Sequence, residues 1–123
     1  MSKFYCLVVG SRTFTDYEVL KERLDYFLQN KSDICIVSGG AKGADQLAEF
    51  YAKEHDYELK VFKAHWDMYG MSACMIRNKE MMQFISQCTD KGMVAFWDGE
   101  SSGTRNSIDL SKNYKITCKV VRV

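Results

Sequence analysis

The run Ile34-Cys35-Ile36-Val37 passes directly into Ser38-Gly39-Gly40-Ala41-Lys42-Gly43-Ala44-Asp45, and from there into a segment with Ala44, Leu47, Ala48, Tyr51 and Ala52 at helical spacing. A short unbroken apolar run marks a strand buried on both faces, and a 3.6-residue period marks a helix packed along one face. Between them the glycines let the backbone take positive φ and approach a neighbour closely. The first N–H groups of the helix point outward with the positive end of its dipole. This strand–corner–helix step predicts a parallel α/β sheet, with a phosphate as the natural guest of the corner. It is not a Walker A loop, since no Gly-Lys-Ser/Thr follows, nor a strict dinucleotide fingerprint, and a plain tight turn is the alternative reading.

Two further corners extend the pattern. Gly10-Ser11-Arg12 closes the apolar run at 4–9, and Trp97-Asp98-Gly99-Glu100-Ser101-Ser102-Gly103-Thr104 follows Met93-Val94-Ala95-Phe96. After the first run, Leu20, Leu24, Phe27 and Leu28 predict a helix, and Thr15 with Glu18 reads as a capping box that starts it near Asp16. A third strand is expected at 58–63 and a helix at 72–87, with Cys74, Asn78, Met81, Ile85 and Cys88 on one stripe. A strand at 93–97, a short helix near 104–112 and a last strand at 116–121 complete the chain.

Five strands alternating with four helices predict an α/β fold, a parallel sheet with helices on both faces. The runs at 4–9, 34–37 and 93–97 are continuously apolar and belong in the centre. Glu58-Leu59-Lys60-Val61-Phe62-Lys63 and Lys115-Ile116-Thr117-Cys118-Lys119-Val120 carry interspersed charge and belong at the edges. Strand order 3-2-1-4-5 meets both demands, whereas 2-1-3-4-5 would bury the charged third strand. The topological switch then lies between strands 1 and 4, where all three corners converge and where ligands of open α/β sheets bind.

A length of 123 residues, 46% hydrophobic and 27% charged, predicts a single domain spanning 1–123. Seventeen Lys+Arg against sixteen Asp+Glu, a formal charge of +1, argue against nucleic acid as a partner. With no membrane-length apolar stretch and no signal-peptide layout, the expected location is cytoplasmic, away from any membrane. The five cysteines are scattered without a Cys-x-x-Cys pair, and His55 and His65 lack ligand spacing, so reduced core thiols are expected, with no metal and no cofactor.

The motifs resemble the SLOG superfamily of nucleotide-binding proteins, in its YspA-like branch. The likeness runs nearly end to end: Gly10-Ser11-Arg12, then Ser38-Gly39-Gly40-Ala41-Lys42-Gly43-Ala44-Asp45, then Trp66 and Gly70 ahead of Arg77-Asn78, then Phe96-Trp97-Asp98-Gly99 with Ser102-Gly103-Thr104. It implies a Rossmann-like three-layer fold and a nucleotide-derived small-molecule ligand. The superfamily ranges from phosphoribohydrolases to ligand sensors and DNA-processing proteins, so fold transfers better than activity. In the LOG-type phosphoribohydrolases an Arg-Lys pair and a Gly-Thr-x-x-Glu loop act on nucleoside monophosphates. Here Arg77 matches the arginine, but Asn78 replaces the lysine and Ser107 stands where the glutamate would be. An N-glycosidic hydrolase would then need Glu100 or Asp98 as its carboxylate.

Ligand contacts are therefore expected from Gly10, Ser11, Arg12, Ser38, Gly39, Gly40, Lys42, Gly43, Asp45, Trp66, Asn78, Asp98, Gly99, Ser102, Gly103 and Thr104. Arg77, Glu100 and Asp98 are catalytic only if the protein is an enzyme. Arg12 suits bidentate phosphate recognition, Asp45 either caps its helix or binds a ribose, and Trp66 either stacks on a base, plugs the core or meets a second subunit. Asn78, on the buried stripe of its helix, must meet something polar, either loop backbone or ligand. The Met-rich segment Met68, Met71, Met75, Met81 and Met82 is expected to fill core or a subunit interface, which favours a homo-oligomer. The leading reading is a nucleotide-binding domain with the phosphate on the two glycine-rich corners and Arg12 and the base near Trp66; a phosphoribohydrolase and a non-catalytic sensor or sequestering protein for a signalling nucleotide are the alternatives.

Overall fold

The computed structural model describes residues 3–123. Its chain runs β1 (Phe4–Gly10), α1 (Tyr17–Leu28), β2 (Ile34–Ser38), α2 (Ala44–Glu54), β3 (Glu58–Val61), α3 (Trp66–Tyr69), a 3₁₀ turn (Gly70–Ser72), α4 (Ala73–Ser86), β4 (Asp90–Trp97), α5 (Ser102–Asn113) and β5 (Cys118–Arg122). The five strands form one sheet in the order β3-β2-β1-β4-β5, all parallel, with Leu7 opposite Val37 on one side and Met93 on the other. β2 is buried at every position, while β3 alternates exposed and half-buried residues and β5 buries only Val121. The edge position of the two charged strands follows from that difference.

Alternation along the strands divides the core in two. Phe4, Cys6, Val8, Ile34, Ile36, Val94 and Phe96 face Leu20, Leu24 and Leu28 of α1 and Ala48, Tyr51 and Ala52 of α2. Leu7, Val9, Cys35, Val37, Met93 and Ala95 face Met81, Met82 and Ile85 of α4 and Ile108 of α5. The chain winds outward from β1 to β3, then crosses to β4 on the other side of β1, so the loops after β1 and β4 diverge and leave a cleft between them.

Four local expectations are corrected. The N-cap of α1 is Asp16, whose Oδ1 accepts the Val19 N–H at 3.2 Å, so the capping box on Thr15 does not form. The third strand stops at Val61. The helix expected at 72–87 is Ala73–Ser86, preceded by a single helical turn and a 3₁₀ turn over residues 66–72, which lack apolar periodicity. α5 begins at Ser102, which makes Ser102, Gly103 and Thr104 its first turn. Of the Met-rich segment, Met81 and Met82 are core, whereas Met68, Met71 and Met75 are exposed. Cys6 and Cys35 are buried thiols, and Cys74, Cys88 and Cys118 are only half-buried. Among the described residues no helix is long and apolar enough to cross a membrane.

Candidate functional site

The three corners lock together at Ser11, which is buried at the end of β1. Its N–H donates to the Phe96 carbonyl at 2.9 Å, its own carbonyl accepts the Ala44 N–H at 3.2 Å, and its Oγ accepts the Asp98 N–H at 3.2 Å. Glycine is needed at two of these junctions. A Cβ on Gly10 would collide with the Ala44 methyl and the Phe96 carbonyl, and one on Gly43, at φ +76°, would strike the carbonyls of Ser11 and Arg12.

The corner at 38–45 turns three of its donors back onto the chain. Gly40 N–H donates to Ser38 Oγ at 3.2 Å, Ala41 N–H to Asp45 Oδ2 at 3.1 Å, and Ala44 N–H to Ser11. The anion it cradles is Asp45. Burial pushes that carboxyl up to about 6, opposed by the Ala41 N–H and by the charges of Arg77 and Arg12. Arg77, only 7% exposed, donates through Nη1 to the Gly39 carbonyl and through Nε to Asn78 Oδ1 at 2.9 Å. Asn78 Nδ2 in turn donates to Asn106 Oδ1 at 3.2 Å. The polar partners that Asn78 requires are thus side chains of α4 and α5.

The corner at 97–104 is arranged the other way. Asp98 Oδ1 accepts the N–H groups of Ser101, at 2.8 Å, and Glu100, at 2.9 Å, which hold its carboxyl below the usual range. Trp97 Nε1 donates to the Ser101 carbonyl at 3.0 Å, and Ser101 Oγ lies 3.2 Å from Thr104 Oγ1. With the loop so fixed, the N–H groups of Ser102, Gly103 and Thr104 have no hydrogen-bond partner among the described residues, and Gly103 faces open space. Free N–H groups on the first turn of a 12-residue helix favour an anion.

A cavity of about 720 Å³ opens over this turn. It is lined by Gly10, Ser11, Arg12, Asp45, Arg77, Asn78, Asp98, Ser102, Gly103 and Thr104 of the expected residues. Ser38, Gly39, Gly40, Lys42, Gly43, Trp66, Gly99 and Glu100 do not line it. Ser38, Gly39 and Gly43 shape the corner behind Asp45, Lys42 and Glu100 are exposed, and Trp66, 51% exposed, stands on α3. The structure adds Thr13, Cys74, Met75, Ser101, Asn106 and Ser107 to the lining. Arg12 Nη2 donates to Cys74 Sγ at 3.4 Å. The polar residues of α5 could have been found from Asn78, since its need for partners points to the helix packed against α4.

A family model described as YspA, cpYpsA-related SLOG family matches residues 5–69, which carry the Gly10 and Gly43 corners. The chain belongs to that family. A relative, the Gene 61 protein of Mycobacterium phage D29, is 29% identical over 106 residues, covering 81% of this chain and 82% of that protein. Among solved structures, DNA processing protein A from Helicobacter pylori, described for its single-stranded DNA binding mode, superposes with a TM-score of 0.71 at 19% identity. That match covers 97% of this chain and 65% of the neighbour, so this chain spans just under two thirds of the neighbour's length. The likeness bears out the Rossmann-like fold and overturns the expectation that set nucleic acid aside. A net charge near zero averages over the whole surface and does not measure the local field of a helix N-terminus beside two arginines.

Proposed function

We propose that the cavity between the β1 and β4 corners binds a nucleotide or nucleotide-derived small molecule. Its phosphate sits on the first turn of α5, flanked by Arg12 and Arg77. The observation that carries this reading is the contrast between the two glycine corners. The first closes on its own Asp45 carboxylate and lies mostly behind the cavity, while the second presents the unpartnered N–H groups of Ser102, Gly103 and Thr104 to a cavity of about 720 Å³. That volume falls in the range of roughly 300–1,000 Å³ typical of small-molecule sites. Asp98, with one carboxylate oxygen committed to backbone, is suited to accept a ribose hydroxyl through the other.

The test is mass spectrometry of small molecules released on denaturing the purified protein, followed by incubation of the recovered molecule with fresh protein. An intact nucleotide is expected, as for a binder or sensor. Recovery of no nucleotide-derived molecule, with no nucleotide in a panel shifting Tm, overturns the reading. Release of free base and ribose phosphate makes the protein a phosphoribohydrolase.

The exposure of Arg12, Ser102 and Gly103 at the rim, with the likeness to DNA processing protein A, favours a second reading in which the phosphate belongs to single-stranded nucleic acid. Fluorescence anisotropy with a labelled oligonucleotide separates the two. The exposed run of Trp66, Met68, Tyr69, Met71 and Met75 supports a homo-oligomer, which sedimentation equilibrium measures directly.

A further inference from the structure

A second cavity, of about 440 Å³, adjoins the first. The two share Ser11, Thr13 and Asp98 as walls, so they are lobes of one cleft. Their chemistry differs. The main lobe sets Arg12 and Arg77 against Asp45 and Asp98 and adds the N-terminal turn of α5, whose unpartnered N–H groups suit an anion. In the second lobe the carboxylates of Asp16 and Asp98 outnumber the single cation, Arg122, so a phosphate is disfavoured there. Its other surfaces are Phe14, Val19 and Val123, with the hydroxyls of Thr13 and Thr15. An apolar floor, hydrogen-bonding groups at the sides and no net positive charge fit an uncharged planar heterocycle.

Two features make this lobe a built site. Phe14 is held flat by stacking on Phe96, with ring centroids 5.4 Å apart and planes 9° from parallel. The exposed Arg122 lays its guanidinium group against Gly99, which takes φ +87° and carries no side chain to push the arginine aside. The glycine therefore lets a planar cation lie across the β4 corner at the edge of the lobe. Guanidinium planes stack on nucleobases, and an ammonium does not reproduce that contact.

We propose that this second lobe is a nucleobase subsite, with the base stacked on Arg122 and the sugar bridging past Asp98 to the phosphate in the main lobe. This rests on the nucleotide reading above and names where its base goes. Trp66, which lines neither lobe, has no part in it.

The test compares calorimetric binding of ribose 5-phosphate with that of the four ribonucleoside 5′-monophosphates, in wild type, Arg122→Ala, Arg122→Lys and the lobe-filling Val19→Trp. Wild type should bind its best monophosphate about tenfold or more tighter than ribose 5-phosphate, the equivalent of one stacking contact. All three variants should lose that advantage while binding ribose 5-phosphate within about twofold of wild type, which also reports an intact fold. The subsite is overturned if no monophosphate outbinds ribose 5-phosphate, or if the folded variants keep the advantage. If neither class of probe binds wild type, it is the nucleotide reading itself that fails.

Discussion

The Asp98 N–H donates to Ser11 Oγ at 3.2 Å, joining residues 87 apart in sequence and tying the β4 corner to the end of β1. Ser11 is buried, and its carbonyl also receives Ala44, so one residue sets the spacing of all three corners. Removing the hydroxyl leaves a partly buried N–H without a partner, which costs about 1–3 kcal/mol. Ser11→Ala is expected to lower unfolding free energy by that amount in urea titration. It should also weaken nucleotide binding beyond the stability loss, because Asp98 and the first turn of α5 lose their reference point.

Asp45 gives the fold a defined pH response. Its carboxyl is raised from 3.8 to about 6 by burial. The folded state therefore binds the proton more tightly than the unfolded chain does. The associated stability is fully present below about pH 4 and is lost as pH rises through about 6, a swing of roughly 3 kcal/mol. Asp45→Asn keeps an acceptor for the Ala41 N–H and removes the charge. The variant should match wild type at pH 4 and exceed it by roughly that amount at pH 7.5. Chemical denaturation at both pH values decides it, and a difference between the two proteins that does not change with pH would refute the assignment.

The two glycine corners should respond oppositely to side chains. Gly43 combines φ +76° with carbonyls of Ser11 and Arg12 where a Cβ would go, so Gly43→Ala strains the backbone and forces the β1 corner away. A loss of more than about 2 kcal/mol is expected. Gly103 has open space around it. Gly103→Asp should leave Tm nearly unchanged, since an acidic residue in the first turn of a helix is favourable, yet abolish nucleotide binding by placing a carboxylate on the free N–H groups. Melting curves and calorimetry on the pair separate a structural glycine from a ligand-facing one.

These contrasts show which parts of the design a sequence can display. Strand order was legible because burial writes itself into composition: Ile34 to Val37 carry no polar residue, while Glu58 and Lys60 alternate with apolar neighbours. The glycine corners were equally visible as interruptions of that pattern. Their division of labour was not, because whether a corner is empty depends on a carboxylate five residues beyond Gly40 turning back onto Ala41. The contact of Arg77 with the Gly39 carbonyl spans 38 residues and has no periodic signal. The early start of α5 was hidden by Gly103, a poor helix former that the open cavity accommodates. Residues 66–69 form one helical turn, too short for any period to register.

Arg77 and Glu100 give the sharpest contrast among the residues that a hydrolase would need. Arg77 lines the cavity and holds two partners with one rigid plane, Gly39 through Nη1 and Asn78 through Nε. Lysine preserves the charge but cannot reach both, and Asn78 then loses the donor that fixes it toward Asn106. Arg77→Lys is expected to cost about 2–3 kcal/mol of stability and to weaken ligand binding more than tenfold. Glu100 is exposed, lines neither lobe, and engages Asp98 through its backbone N–H alone. Glu100→Gln should therefore leave stability within about 0.5 kcal/mol of wild type and binding unchanged. Any turnover detected should survive in it as well, since a carboxylate outside the cavity cannot stabilise a departing base. Loss of turnover in Glu100→Gln with binding intact would return that side chain to the reaction and require the corner at 97–104 to move when ligand binds.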